Sequence, residues 1–202
     1  MNAETWLVVG LGNPGPSYAA NRHNVGEMVV AELGQRMSAS FKRHRANAMV
    51  AEVRLGRSGG AGPGGPKLIL AGTNTYMNLS GAPVVNLLKF YKLPLERLLV
   101  VHDELDLPFD TVRIKVGGGP GGHNGVRDVI AAAGSGDFVR VRVGIGRPLG
   151  RQDAAAFVLR DFSSAEREML PSIIADAADA VEAIAADGVT AAQQRFHSPP
   201  PP

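Results

Sequence analysis

The sequence predicts an α/β fold: a single domain built on a twisted, mixed β-sheet with helices on both faces. Three observations carry this. Short apolar runs at residues 6–9 and 98–101, and one that follows Lys67 within 67–71, read as buried strands. Between such runs lie stretches with apolar residues every three to four positions, as amphipathic helices require. Other stretches alternate apolar and polar residues and follow one another through turns, which is how antiparallel strands pair.

In chain order, residues 6–9 (WLVV) form the first strand, and residues 10–26 (GLGNPGPSYAANRHNVG) form a glycine- and amide-rich loop. That loop gathers Asn13, Tyr18, Asn21, His23 and Asn24 at the C-terminal end of the strand, where open α/β sheets place their sites. Val25, Val29 and Leu33 give a helical stripe over residues 24–37. A basic cluster, Lys42, Arg43, His44 and Arg45, leads into a strand at residues 48–55. Residues 57–66 (RSGGAGPGGP) are a flexible hairpin-like loop before the strand at 67–71.

Residues 73–81 (TNTYMNLSG) form a second polar loop, with Ser80 the expected N-cap of a helix reaching Tyr91. The strand at 98–101 ends in His102-Asp103-Glu104-Leu105-Asp106. Residues 111–116 alternate, with Arg113 and Lys115 on one face. A third glycine loop, 117–125, precedes a helix over 126–133, and residues 138–146 alternate with Arg140 and Arg142 sharing a face. The C-terminal part reads as helix: Ser163 and Glu166 make a capping box, Pro171 is expected to kink or restart the helix, and Gly188 to end it. Ile173, Ala177, Val181 and Ile184 are its expected buried stripe. The domain is expected to span residues 1–197, with the tail frayed from His197 and the proline-rich residues 198–202 disordered.

At 202 residues with 45% hydrophobic and 20% charged residues, the chain is of ordinary globular composition. A net charge of +2 permits a phosphate-bearing partner without arguing for one. The absence of cysteine excludes disulfides, thiolate metal sites and a cysteine nucleophile. No signal peptide or membrane-length apolar segment is visible, so a cytoplasmic protein is expected.

Gly10-Leu11-Gly12-Asn13-Pro14-Gly15 satisfies the letter of the dinucleotide fingerprint. That motif needs a helix opening directly from the turn and a ribose-binding acid at the end of a second strand. Here Pro14, Gly15 and Pro16 interrupt, and Glu32 falls inside the helix, so the nucleotide reading is set aside. Three polar loops following three strands each offer an asparagine (Asn13, Asn78, Asn124), a residue suited to reading an amide or steadying an oxyanion. His23 has the chemistry of a general base, and Asp103 is placed to orient its ring. With no G-x-S-x-G elbow and no cysteine, the pair points to attack by an activated water; a purely structural His–Asp hydrogen bond is the alternative.

The segments GLGNPG, Tyr18, Arg22-His23-Asn24, Tyr76-Met77-Asn78-Leu79-Ser80-Gly81, His102-Asp103-Glu104-Leu105-Asp106 and Gly121-Gly122-His123-Asn124-Gly125 occur in an order and spacing that resembles bacterial peptidyl-tRNA hydrolase from Trp6 to Pro148. The resemblance implies a monomeric, single-domain α/β hydrolase without cofactor or metal, which cleaves the ester between a peptide and the 3′ ribose of tRNA. It makes His23 the base and Asp103 its partner, and gives Asn13 the peptide backbone. Asn78 and Asn124 would hold substrate and water, Tyr18 and Tyr76 would line the channel, and Lys115 and Arg142 would clamp the tRNA 5′ phosphate. One departure is that Gly72, Thr73 and Asn74 stand where the family commonly has a Lys-Pro pair.

Two rivals remain. A non-catalytic RNA-splicing partner of the same fold is disfavoured by the intact His23, Asp103 and asparagines. A metal-dependent hydrolase would use His102, Asp103, Glu104, Asp106 and His123, but adjacent residues on a strand point to opposite faces.

Overall fold

The computed structural model describes residues 4–56 and 60–197. Its strands are β1 (Thr5–Gly10), β2 (Lys42–His44), β3 (Ala48–Gly56), β4 (Gly64–Thr73), β5 (Leu98–Glu104), β6 (Val112–Val116) and β7 (Val139–Gly144). The helices are α1 (Val25–Arg36), α2 (Gly81–Tyr91), α3 (Asn124–Ala133), α4 (Ala154–Val158), α5 (Ser164–Asp187) and α6 (Val189–His197). The strands form one seven-stranded sheet in the order β2-β3-β4-β1-β5-β7-β6. β1 runs parallel to β4 and β5, and β5 parallel to β7, whereas β2–β3, β3–β4 and β6–β7 are antiparallel. The sheet is mixed, as expected.

The central strands are apolar on both sides because helices cover both faces. Trp6, Val8, Leu68, Leu70, Leu99 and Val101 pack with α1 and α5, whereas Leu7, Val9, Ile69, Ala71, Leu98 and Val100 pack with α2 and α3. β6 and β7 alternate instead. Val112, Ile114, Val139, Val141 and Val143 join the α1/α5 core. Register pairs Arg113 with Arg142 and Lys115 with Arg140, so the other face of these two strands is basic. The expected α5 stripe of Ile173, Ala177, Val181 and Ile184 is fully buried. β6 is an edge strand, and α6 covers it: Ile114 N–H donates to His197 Nε2 (3.0 Å), and Gln193 Nε2 donates to the Ile114 carbonyl (3.3 Å).

Several expectations are corrected. The Lys42–His44 cluster is itself a strand, turned back through Asn47 at φ 61°. β4 starts at Gly64, so part of the glycine loop is strand, while residues 57–59 lie outside the described residues. β5 extends through His102, Asp103 and Glu104 rather than ending before them. α3 starts at Asn124, not Val126. Ser80 precedes α2, but its hydroxyl donates to the Met77 carbonyl (2.7 Å), and the Gly81 N–H is taken by the Asp128 carboxylate (2.7 Å). α5 does not restart at Pro171, although its Ser163–Glu166 capping box and its end at Gly188 are as expected. His197 is docked rather than frayed, and the proline-rich tail, 198–202, lies outside the described residues.

Candidate active site

The site is built where β1 and β5 end. The Leu11 N–H donates to the Val101 carbonyl (3.0 Å), tying the first loop to β5. Gly10 and Gly26 make this possible: a Cβ on Gly10 would strike the Gly26 carbonyl, and one on Gly26 would strike that of Val101. Residues 14–20 then form turns rather than a helix, which removes the helix N-terminus that a pyrophosphate would need.

Within this loop Asn24, only 1% exposed, fastens Asn13 at both ends. The Asn13 N–H donates to Asn24 Oδ1 (3.0 Å), and Asn24 Nδ2 donates to the Asn13 carbonyl (2.9 Å). Asn13 Oδ1 in turn accepts the Met77 N–H (2.7 Å), joining the first polar loop to the second. These bonds engage the Asn13 backbone and Oδ1, and its Nδ2 is the remaining donor of the side chain.

His23 sits in a 3-10 turn, Arg22–Asn24, held from outside. The Arg22 guanidinium is buried, donates to the Asp161 carbonyl (2.9 Å), pairs with Glu166 (2.7 Å) and lies 4.2 Å from the Phe157 ring centroid. Asn21 Nδ2 donates to Asp161 Oδ1 (2.7 Å).

His23 Nδ1 lies 2.9 and 3.0 Å from the two Asp103 oxygens. A second imidazole reaches the same carboxylate, with His123 Nε2 2.8 Å from Oδ1. The tautomers follow from the partners. His123 Nδ1 accepts the Gly125 and Val126 N–H groups at the start of α3 (3.1 and 3.3 Å), so its Nε2 carries the hydrogen. An ionised Asp103 only accepts, so His23 Nδ1–H donates and Nε2 keeps its lone pair. Burial opposes ionisation of Asp103, but His123 and then His23 outweigh it and hold the carboxyl below the ordinary aspartate range. His102 is different: burial, seconded by His123, pushes it down to about 3, and its Nδ1–H donates to the Asp103 carbonyl (2.7 Å). It is a neutral support beneath the site.

His23, Asp103, His123 and Asn124 line one cavity of about 320 Å³, closed on the far side by Asp153 and α4. Asn124 is exposed and accepts from Arg127 (2.8 Å). Tyr18 and Tyr76 meet edge-on, with centroids 6.3 Å apart. Asn78 is exposed on the 3-10 turn Met77–Leu79 and does not line the cavity. Arg142 lies 3.8 Å from Glu104, which lines the cavity, and Lys115 shares the sheet face of Arg142; neither cation lines the cavity itself. Arg140 is no surface cation: its guanidinium donates to the carbonyls of Gly118 and Gly119 and braces the glycine loop.

Among the described residues, the group able to hold a metal is His23, Asp103 and His123, with ligand atoms within 4.8 Å of one another. His102, Glu104 and Asp106 do not join it. His23 Nδ1 and His123 Nε2 already point N–H groups at the carboxylate, so the three groups satisfy one another by hydrogen bonds. Sequence reasoning missed His123 as a member of the pair, Asn24 as the clamp on Asn13, and Asp153 with α4 as a wall. The RHN and GGHNG segments, each pairing a histidine with an asparagine, were the available signal.

Fold and site together are those of an α/β protein whose oriented imidazole lines a polar cavity where the central strands end. The sequence pattern of the peptidyl-tRNA hydrolase family matches residues 7–201. The chain is 65% identical to the peptidyl-tRNA hydrolase of Leifsonia xyli subsp. xyli over 96% of its own length and 97% of that protein's. It is 56% identical to that of Kineococcus radiotolerans, over 98% and 99%. A solved structure of peptidyl-tRNA hydrolase from Acinetobacter baumannii superposes with a TM-score of 0.85 at 33% identity, covering 96% of this chain and 95% of that one. The chain belongs to the peptidyl-tRNA hydrolase family.

Proposed function

We propose that this chain, as a monomer in the cytoplasm, hydrolyses the ester joining a peptide or N-blocked amino acid to the 3′ ribose of tRNA, and so returns tRNA to translation. The observation that supports the residue assignment is the doubly bonded Asp103, which favours His23 Nδ1–H and so an Nε2 with a lone pair to act as base. In this reading Nε2 takes a proton from water while the water oxygen bonds to the ester carbonyl carbon. The tetrahedral intermediate collapses with cleavage of the bond to the ribose oxygen, which receives the proton from the imidazolium. Asp103 stabilises that imidazolium and His123 keeps Asp103 in place.

Asn13, donating through Nδ2, meets the peptide backbone, and Asn78 and Asn124 hold substrate and water. Tyr18 and Tyr76 border the channel, and Lys115 and Arg142 take the 5′ phosphate, which suits cations on one sheet face. The deciding experiment compares an N-acetylated aminoacyl-tRNA with the same tRNA bearing a free amine, in EDTA, for the native protein and His23→Ala. Cleavage of the blocked ester alone, lost in His23→Ala with tRNA affinity retained, is expected. Full activity in His23→Ala would overturn the assignment of the base, and loss of activity in EDTA would overturn the metal-free reading.

A further inference from the structure

Behind the Asn13 loop lies a second cleft, of about 390 Å³, between α1, the paired strands β3 and β4, and Pro14–Gly15. Val30, Phe41 and Met49 give it apolar walls, with Thr73 and Asn74 on its border. It contains one charged group, Glu27. Two glycines make room for that carboxyl: a Cβ on Gly12 would lie 2.6 Å from Glu27 Cδ, and one on Gly72 would lie 3.4 Å from Oε1. Its hydrogen-bond donor is Asn24 Nδ2 at 3.3 Å, and no cation pairs with it among the described residues. Burial alone pushes the carboxyl up to about 7.

An acid in the first turn of a helix is favoured by the helix dipole, and that accounts for glutamate at this position. It does not account for a side chain turned into an apolar cleft over two glycines, since the dipole is served equally well by an acid facing water. A desolvated carboxylate without a counter-ion is costly, and a cation delivered by a ligand removes the cost. The cleft adjoins the loops that carry Asn13 and Tyr76, and the Asn24 amide that touches Glu27 also clamps Asn13. A peptide running past Asn13 toward Pro14 and Gly15 therefore reaches it.

We infer that this cleft is a subsite for the peptide part of the substrate, taking an ammonium or guanidinium side chain with Glu27 as its counter-ion. The inference rests on the reading of Asn13 as the group that meets the peptide. Its test uses N-acetylated di- and tripeptidyl-tRNAs carrying either lysine or norleucine, which keeps the apolar stem and drops the charge, at each position upstream of the esterified residue. The readout is the lysine-to-norleucine ratio of kcat/KM within each protein.

At one position the native protein should favour lysine by about tenfold, as expected for one partly buried ion pair. In Glu27→Gln that ratio should fall to about one. Ala31→Lys, which places an ammonium one helical turn from Glu27 on an exposed position, should compress it as well. A ratio near one at every position in the native protein, or a ratio that survives Glu27→Gln, overturns the subsite. Failure to cleave any of the substrates, norleucine included, overturns the hydrolase reading and this inference with it.

Discussion

Replacing Asp103 by asparagine tests the proposed site at its centre. Oδ1 accepts from both His123 Nε2 and His23 Nδ1 (2.8 and 2.9 Å), and Oδ2 lies 3.0 Å from the same His23 nitrogen. His123 cannot adapt, because its Nδ1 is held by the Gly125 and Val126 N–H groups. An asparagine therefore keeps its oxygen toward His123 and turns its NH2 toward His23. That selects the His23 tautomer with hydrogen on Nε2, which cannot accept a proton from water. The negative charge opposite the imidazolium also disappears. At a charge separation of about 4 Å and an effective dielectric of about 20, that attraction is about 4 kcal/mol, or about 10³-fold in rate. The expected result is a fall of about 10³ in kcat on N-acetyl-aminoacyl-tRNA with KM little changed. Thermal unfolding would confirm that the variant is folded. A loss below about tenfold in a folded Asp103→Asn protein would refute the argument that this carboxylate orients and stabilises the His23 imidazolium.

Arg142→Ala should raise KM while sparing kcat, and should flatten the dependence of log affinity on log salt by about one phosphate's worth, measured by tRNA titration across salt concentrations. An unchanged slope would remove Arg142 from the phosphate clamp. Arg22→Leu leaves Glu166 with the Ser163 N–H but no counter-ion and the Asp161 carbonyl without its guanidinium donor, and should cost about 3 kcal/mol in denaturant unfolding, with a drop in kcat as His23 loosens. Glu27 is raised from 4.5 to about 7, so its contribution favours the fold below pH 4.5 and is lost as pH rises through 7. That shift amounts to about 3 kcal/mol at most, reduced to roughly 1–2 by partial exposure. Glu27→Gln should therefore match the native Tm near pH 4 and exceed it by several degrees near pH 8, as scanning calorimetry would show.

The central strands were legible because burial on both faces leaves a plain signature, four consecutive apolar residues in Trp6–Val9 and again at 98–101. The same logic hid the end of β5, where His102, Asp103 and Glu104 are polar because they furnish the site while their backbone stays in the sheet. β2 escaped notice because three polar residues on an edge carry no apolar pattern. Ser80 read as a cap on local grounds, but a carboxylate from α3 reaches the Gly81 N–H, and only tertiary packing decides between them. The pairing of His23 with Asp103 was legible from residue type and loop position, and the roles proposed for Lys115 and Arg142 rest on the family resemblance. The role of His123 depends on the start of α3 arriving beside β5, a meeting that no local window of sequence contains.

The staple formed by Arg22 sets a schedule for the molecule's own making. His23 is synthesised well before Asp161 and Glu166, which fasten the turn that carries it. N-terminal segments emerge and begin to fold first. The proposed base is therefore built early and seated late. A growing copy of this protein is itself a peptide esterified to tRNA, and the clasp on its own proposed base cannot close until Asp161 and Glu166 have left the ribosome.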